Sequence, residues 1–464
     1  MAKLQGCFEF RKSLRTSRRD FLRAGMFGAG SIAGLSLADV LRAEALAKQP
    51  AAGTRVNSVI ILWMRGGPSH IDMWDMKPAA PLEYRGEFSP IATKVPGINI
   101  CELLPQTAAC MDKWSIIRSL SGEPGHSGQM NFTGYPDGPD SEQNYHPSCG
   151  SIAAEQLRHL NPALPTYVMI PKMVPGTNSA YLDAACRPFE TQADPASRPT
   201  QGFKIPNLSL PEGLSVGRFL DRGNLLSSLD AMRRHTAASG AIDAMDKFQQ
   251  QAWDICTSPA AQQAFDLVSE PQALRDRYGL WDKFQARDPQ GGGAPNWSQR
   301  ILLARRLVEA GVRLVTVDCR WWDTHQDNFW SLKTGFLPRW DRAYSALIED
   351  LDQRGLLDTT MVIAWGEMGR SPLINSRSGN GRGGRDHWGP AMAAAVAGGG
   401  IQGGRIIGST DAKAEVPKDN PKQRNDVLAT MYRHLGIDTA KNYVDLAGRP
   451  FPVLPSGKPI DELF

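Results

Sequence analysis

The sequence predicts an open, doubly wound α/β sheet, and three observations carry that expectation. Short apolar runs rich in Val, Ile and aromatic residues recur along the chain. Helical patterns with 3.6-residue apolar spacing lie between them. The helical patterns stop at glycines, Gly311 and Gly355, shortly before the next apolar run.

Taken in order, Val56 to Met64 is a continuous apolar run that leads into Arg65-Gly66-Gly67-Pro68-Ser69-His70. A buried parallel strand feeding a glycine turn reads this way. Tyr167 to Ile170, Val312 to Val317 and Met361 to Trp365 are further strands of the same kind, and Ala391 to Ala397 is one more despite its alanines. Gln299 to Ala310 and Trp340 to Arg354 read as amphipathic helices. Asn425 to Leu435 reads as a late helix with Asn425 or Asp426 near its cap. The stretch from about residue 190 to 296 differs: a Pro/Gly/Ser-rich start, amphipathic helices from Leu214 to Val268, and an exit through Gln290 to Pro295. It reads as a helical insertion packed on the sheet. Pro372 to Arg385, rich in Gly, Ser, Asn and Arg, is expected to be a mobile loop.

Hydrophobic content of 41% and charged content of 22% over 464 residues allow a large core and argue against disorder. The net charge is +4 and no Lys/Arg stripe with interleaved aromatics is present, so no nucleic-acid partner is expected. Ser17-Arg18-Arg19-Asp20-Phe21-Leu22-Arg23 is a twin-arginine pattern; an apolar run from Ala24 to Leu41 and a small-x-small site at Ala45-Leu46-Ala47 follow. Residues 1–47 are therefore expected to be a twin-arginine signal peptide, leaving a 48–464 domain in the periplasm or outside the cell. The apolar run is too short and too rich in Gly and Ser for a stable membrane span. Six cysteines remain beyond Cys7; an even number permits disulfides, although burial as small apolar side chains is favoured, and no CxxC pair exists.

Five segments carry candidate chemistry, and the coarse reading puts each beyond a strand end or in a glycine-rich loop, where open parallel sheets bind ligands. Ser69, His70 and Asp72 leave the first strand on a tight turn: metal ligands, a nucleophile with its base, or a capped helix entry. Gly125 to Gly134 opens a short helix near Ser127, a nucleophile favoured by the helix dipole or a plain N-cap. Asp323-x-His325-x-Asp327 can converge on one cation, zinc, manganese or iron by its imidazole, calcium or magnesium by its carboxylates. Glu367 follows a strand as ligand or general base, with Arg370 behind it to hold an anionic oxygen. Asp386 and His387 arrive on the glycine-rich loop, His387 to complete the site or act as an acid.

The order of these motifs resembles a domain-of-unknown-function family numbered 1501. The carriers are Gly66-Gly67-Pro68-Ser69-His70-Ile71-Asp72, Ala304 to Arg313, Trp322-Asp323-Thr324-His325, Gly366-Glu367-Met368-Gly369-Arg370 and Gly384-Arg385-Asp386-His387-Trp388. Phe336 to Gly369 is also similar to the sulfatase and alkaline-phosphatase stretch in which helix, turn and strand lead into a metal motif. The resemblance implies an alkaline-phosphatase-like fold and one or two divalent metals. It implies an Asp323 metal pair with His325 or Asp327, a late ligand at His387 and a nucleophile loop from His126 to Gly134. Gly366-Glu367 replaces the usual Asp-His pair, and no sulfatase CxPxR is present. The expected function is an exported, metal-dependent hydrolase of sulfate or phosphate esters, small or on polysaccharide. Ser127, Ser69 or a metal-bound water serves as nucleophile. The alternative is a non-catalytic or degenerate member that binds polysaccharide or a partner protein, with the twelve tryptophans as a stacking surface.

Overall fold

Strand β1 (Ser58–Trp63) is buried at every residue. Its side chains alternate between two cores: Ile60 and Leu62 enter one apolar cluster, Val59, Ile61 and Trp63 the other. A strand covered on both faces by helices has to be apolar throughout, which is why this run shows no polar alternation.

The computed structural model describes residues 56–140, 143–160, 164–195, 205, 258–287, 293–294, 297–376 and 382–464. The predicted export signal lies outside the described residues, and so does most of the predicted helical insertion. The described part of that insertion includes helices at Pro259–Phe265 and Gln272–Tyr278. No helix among the described residues is long and apolar enough to cross a membrane.

Seven further strands complete the main sheet: β2 (Trp114–Leu120), β3 (Tyr167–Ile170), β4 (Phe189–Glu190), β5 (Leu314–Asp318), β6 (Thr360–Trp365), β7 (Met392–Ala397) and β8 (Ile406–Ile407). Their order is β8-β2-β7-β6-β1-β5-β3-β4. β1 pairs in parallel with β5 and β6, β3 with β5 and β4, and β8 with β2. Only β7 runs against its neighbours, β6 and β2. The fold is thus α/β with a mostly parallel sheet, as the helix–glycine–strand rhythm predicts.

Five helices bear on the cores and on the rim of the sheet: α1 (Gln129–Thr133), α2 (Cys149–Leu157), α3 (Trp297–Ala310), α4 (Leu337–Gln353) and α5 (Arg424–Leu435). α3 and α4 contribute to the core on the Ile60 and Leu62 face, α2 and α5 to the core on the other. Fully burying each aliphatic side chain in such layers contributes about 1.5–3 kcal/mol. The start of α5 falls one residue before the predicted cap. The Gln423 amide donates to the Asp426 carboxylate at 2.8 Å, closing the first turn. Cys101, Cys110, Cys149, Cys186 and Cys319 are buried and unpaired, so they behave as small apolar side chains; Cys256 lies outside the described residues.

The loop from Pro372 to Arg385 corrects one expectation. Its middle lies outside the described residues, but its ends are fixed: Asn375 bridges to Gly384, and Arg385 is fully buried. A Cβ at Gly384 would collide with the His325 carbonyl, so a glycine is what lets this loop lie against the chain that follows β5.

Candidate metal centre

The carboxyl ends of β1, β2, β5 and β6 share one edge of the sheet. β7 is antiparallel, so its amino end opens at the same edge, with Met392 opposite Leu120 at the end of β2. Loops leaving these ends therefore meet, although they come from distant parts of the sequence. Two of them touch backbone to backbone. Gly66 adopts φ +105°, and a Cβ there would stand 2.6 Å from the Trp322 nitrogen and 2.8 Å from that of Asp323. The Trp322 amide donates to the Arg65 carbonyl at 2.9 Å. Trp322 itself is a core residue, its ring clustered with those of Trp297 and Phe336 at 5.0 and 4.9 Å. Anchoring this indole inward presents the next residue, Asp323, outward.

Around Asp323 stand three imidazoles. His126 Nε2 lies 3.5 Å from Asp323 Oδ2, and His325 Nε2 and His387 Nε2 lie 3.1 and 3.3 Å from Oδ1. The two nitrogens of His325 and His387 are themselves 3.1 Å apart. Ligand atoms of His126, Asp323 and His387 all fall within 4.8 Å of one another. Two of the rings are aimed by carboxylates. His126 Nδ1 sits 2.9 Å from Glu367 Oε1, and His325 Nδ1 sits 2.7 Å from Asp386 Oδ1. With the Nδ1 proton held by a carboxylate, each Nε2 points at Asp323, donating to it while protonated and offering its lone pair once that proton leaves, the arrangement that orients histidine ligands in metal sites.

This donor set fits a divalent metal. With metal–nitrogen bonds of about 2.0–2.1 Å, adjacent donors on a tetrahedral centre stand about 3.3–3.4 Å apart. The spacings of His126 and His387 from Asp323, 3.5 and 3.3 Å, match it, and His325 stands 3.1 Å from both Asp323 and His387.

Electrostatics follow from the crowding. Burial opposes the Asp323 charge, but hydrogen bonds from His126, His325 and His387 and the Arg370 guanidinium outweigh it and hold the carboxyl well below its usual range. Burial also works against protonated His126; hydrogen bonds to Asp323 and Glu367 win and lift it to about 9. The hydrogen bond to Asp323 raises His325. His387 is lowered, first by burial and then by the positive Arg370 and His126 beside it.

Of the residues singled out in the sequence, Asp323, His325, Glu367, Asp386 and His387 come together here. Glu367 and Asp386 serve as the partners that aim His126 and His325. Arg370 joins the group from below: it is fully buried and bonds Asp323 and the carbonyls of Gly66, Gly67 and Arg385, so it positions Asp323. Ser127 follows His126 and donates to Asp137, while also accepting from the Gln129 amide at 3.3 Å.

Four residues lie elsewhere. Asp72, expected as a ligand, is 1% exposed and held by Arg385 through two bonds of 2.7 and 2.9 Å, with Ser69 and Asn328 donating as well. Its oxygens are committed to locking the loop that carries Asp386 and His387. Ser69 is spent on Asp72 and makes no cap to the helix behind it. His70 is buried with Nε2 3.0 Å from the Ala414 carbonyl, and burial lowers its pKa. Asp327 faces Arg382 at 3.5 Å. Among the described residues seven tryptophans, Trp63, Trp74, Trp114, Trp297, Trp322, Trp340 and Trp365, are fully buried and pack in the core.

Sequence reasoning missed His126, whose segment drew attention only to its serine, and it gave Arg385 no role. A glycine-flanked histidine among only eight in the chain was the available signal for the first.

The family described as "Protein of unknown function (DUF1501)" matches residues 56–464. No curated protein matches. Among solved structures, the PsFucS1 sulfatase from Pseudoalteromonas sp. is 10% identical, with a TM-score of 0.35 over 87% of this chain and 72% of that one. The phosphonate monoester hydrolase SpPMH from Silicibacter pomeroyi is 13% identical, with a TM-score of 0.33 over 88% of this chain and 78% of that one. The lipoteichoic acid synthase LtaP from Listeria monocytogenes is 8% identical, with a TM-score of 0.30 over 84% and 74%. Likenesses of this strength say nothing about the reaction.

Proposed function

Because the chain belongs to the DUF1501 family, whose description names no reaction, we propose a function from the site itself: a metal-dependent hydrolase of sulfate or phosphate esters. One observation carries this reading. The ligand atoms of His126, Asp323 and His387 lie within 4.8 Å of one another with His325 beside them, and the rings of His126 and His325 are aimed by their own carboxylates. Mixed nitrogen and oxygen donors suit zinc, manganese or iron better than the all-oxygen shells of calcium or magnesium. When bound, the metal supplies a positive charge that polarises an ester oxygen.

The chain's own residues do the rest. Glu367 and Asp386 hold the Nδ1 protons of His126 and His325. Arg370 fixes Asp323. As nucleophile we propose Ser127: it follows His126, and its hydroxyl donates to Asp137, which would take the proton as the oxygen attacks the ester and displaces its alcohol. Ser69, buried against Asp72, is not available for that task. The twin-arginine pattern adds an exported protein that folds before crossing the membrane.

A second reading has one observation in its favour. The Arg370 guanidinium already rests against Asp323, supplying positive charge where a metal would. A degenerate member that binds an anionic polysaccharide without metal follows from that.

Metal analysis of purified protein, with turnover of aryl sulfate and phosphate esters before and after chelation, separates the two. Stoichiometric metal and chelator-sensitive turnover are expected. Metal-free protein that still binds saccharide leaves only the second reading.

A pH profile adds a sharper check. In the metal-free protein His126 keeps its proton up to about 9. A metal binds only the deprotonated nitrogen, so it must displace that proton at neutral pH. Apparent affinity is therefore expected to rise with pH, up to about tenfold per unit, and to level off above about 9. Competition against a fluorescent chelator reads this directly; a flat profile through neutrality contradicts the assignment of His126 as a ligand.

A further inference from the structure

One buried cation near the candidate nucleophile has no close anion of its own. Arg424 opens α5, and Lys422, two residues before it, bridges to Leu120 at the carboxyl end of β2. Arg424 therefore stands at the edge of the sheet where the metal centre lies. The chain leaving β2 carries Glu123, then His126 and Ser127, and then α1. The Arg424 guanidinium touches both this loop and α1. Nη1 donates to Asn131 Oδ1 at 3.5 Å, Nη2 donates to Met130 Sδ at 3.0 Å, and Glu123 Oε1 lies 3.6 Å from Nη2. Asn131 in turn donates to the Gly366 carbonyl at 3.1 Å, beside the Glu367 that aims His126.

Four other arginines are buried among the described residues, and each meets a carboxylate closely. Asp194 is 2.8 Å from Arg300, Glu270 is 2.6 Å from Arg305, Asp72 is 2.7 Å from Arg385, and Asp323 rests against Arg370. Arg424 keeps only 8% of its side chain exposed, yet its nearest carboxylate is Glu123 at 3.6 Å, a side chain 63% in solvent. A thioether is a weak acceptor, and an amide oxygen at 3.5 Å is at the limit of a hydrogen bond. Burial pulls the Arg424 pKa down, and the charges of Glu123 and Asp137 push back. Asp137 is the carboxylate that accepts from Ser127. A guanidinium held out of water without a close anion is costly in the free protein, and an arriving anion offsets that cost. Its side chain is already packed, so little freedom is lost on binding.

We propose that Arg424 binds an oxyanion, a sulfate or phosphate group, which takes the place of the Glu123 carboxylate beside α1. The site then holds the group that Ser127 attacks, an assignment that rests on the ester-hydrolase reading, whereas the binding itself requires neither turnover nor metal. The planar fork of a guanidinium suits either tetrahedral anion.

Calorimetry with inorganic sulfate and inorganic phosphate at low salt tests it, on the purified protein before and after chelation. Binding by the wild type is expected in both states. Arg424→Met should weaken it by about tenfold or more, the size of one charge-assisted hydrogen bond. Arg424→Lys, retaining the charge without the fork, should fall between. Glu123→Gln, which removes the competing carboxylate, should tighten binding by up to about fivefold. Circular dichroism shows whether each variant is folded. Should Arg424→Met fail to fold, Glu123→Gln decides, because a purely structural Arg424–Glu123 pair predicts no gain in anion affinity. No binding of either anion by the wild type overturns the proposal, and so does an affinity that Arg424→Met leaves unchanged. A protein that hydrolyses no ester yet loses anion affinity with Arg424→Met refutes the hydrolase and leaves this site standing. Ester turnover whose KM Arg424→Met does not alter does the reverse.

Discussion

Asp323→Asn lowers affinity for a divalent metal by at least about a hundredfold while leaving the fold in place. Asp323 is the hub of the centre: His126, His325, His387 and Arg370 all reach its oxygens. Asparagine keeps an oxygen for Arg370 and the shape of the side chain, so what is lost is the negative charge that a cation requires. Loss of an outer partner of a ligand costs about 10–100-fold, which sets the floor for loss of the ligand itself. Asp386→Asn, acting through His325 alone, should therefore fall within that smaller range. Chelator competition measures both, with circular dichroism to show that each variant is folded. If Asp386→Asn proved the more damaging of the two, the hub would be His325 and the ligand set would have to be redrawn.

Arg385→Met is expected to be the most destabilising single change at the rim, by about 3–5 kcal/mol. The guanidinium is 0% exposed and spans the two loops that face each other across the site. It makes paired bonds to Asp72, reaches the carbonyls of Ser371, Pro372 and Tyr84, and lies over the Phe329 ring at 5.5 Å. Removing it leaves a carboxylate in a dry interior with only Ser69 and Asn328 as donors. Adding Asp72→Asn should recover part of the loss, because a buried pair removed together costs far less than one partner left alone. Urea denaturation reads the stability. Metal affinity should fall as well, since the loop that loses its anchor carries Asp386 and His387.

What was legible in the sequence, and what was not, divides along physical lines. β1, β5 and β6 are buried on both faces and are therefore mostly apolar, with Ser58, Thr316, Asp318 and Thr360 as the polar exceptions; glycine stops mark α3 and α4. β2 escaped notice because Arg118 and two serines interrupt its apolar run. The serines are tolerated inside because Ser115 and Ser119 donate to the carbonyls of Gln402 and Asn420. At the site, residues close to one another in sequence misled. Ser69, His70 and Asp72 look like a ligand group, yet Asp72 answers to Arg385, 313 positions away. Likewise His126 gains its meaning from Glu367, 241 positions away. A partner at such a distance leaves no local pattern, so the chemistry of the individual segments was readable but their pairing was not.

The reversed direction of β7 has a consequence for how the protein is made. Because that strand enters the sheet from the rim, its ligands precede it, and they are among the last third of the polypeptide to leave the ribosome. His126 emerges early, gains Asp323 and His325 as counterparts only in the last third, and lacks its last partner until His387 follows. A nascent chain halted before that point should hold an ion more weakly than the finished one. Tight cation capture would then mark a nearly finished molecule.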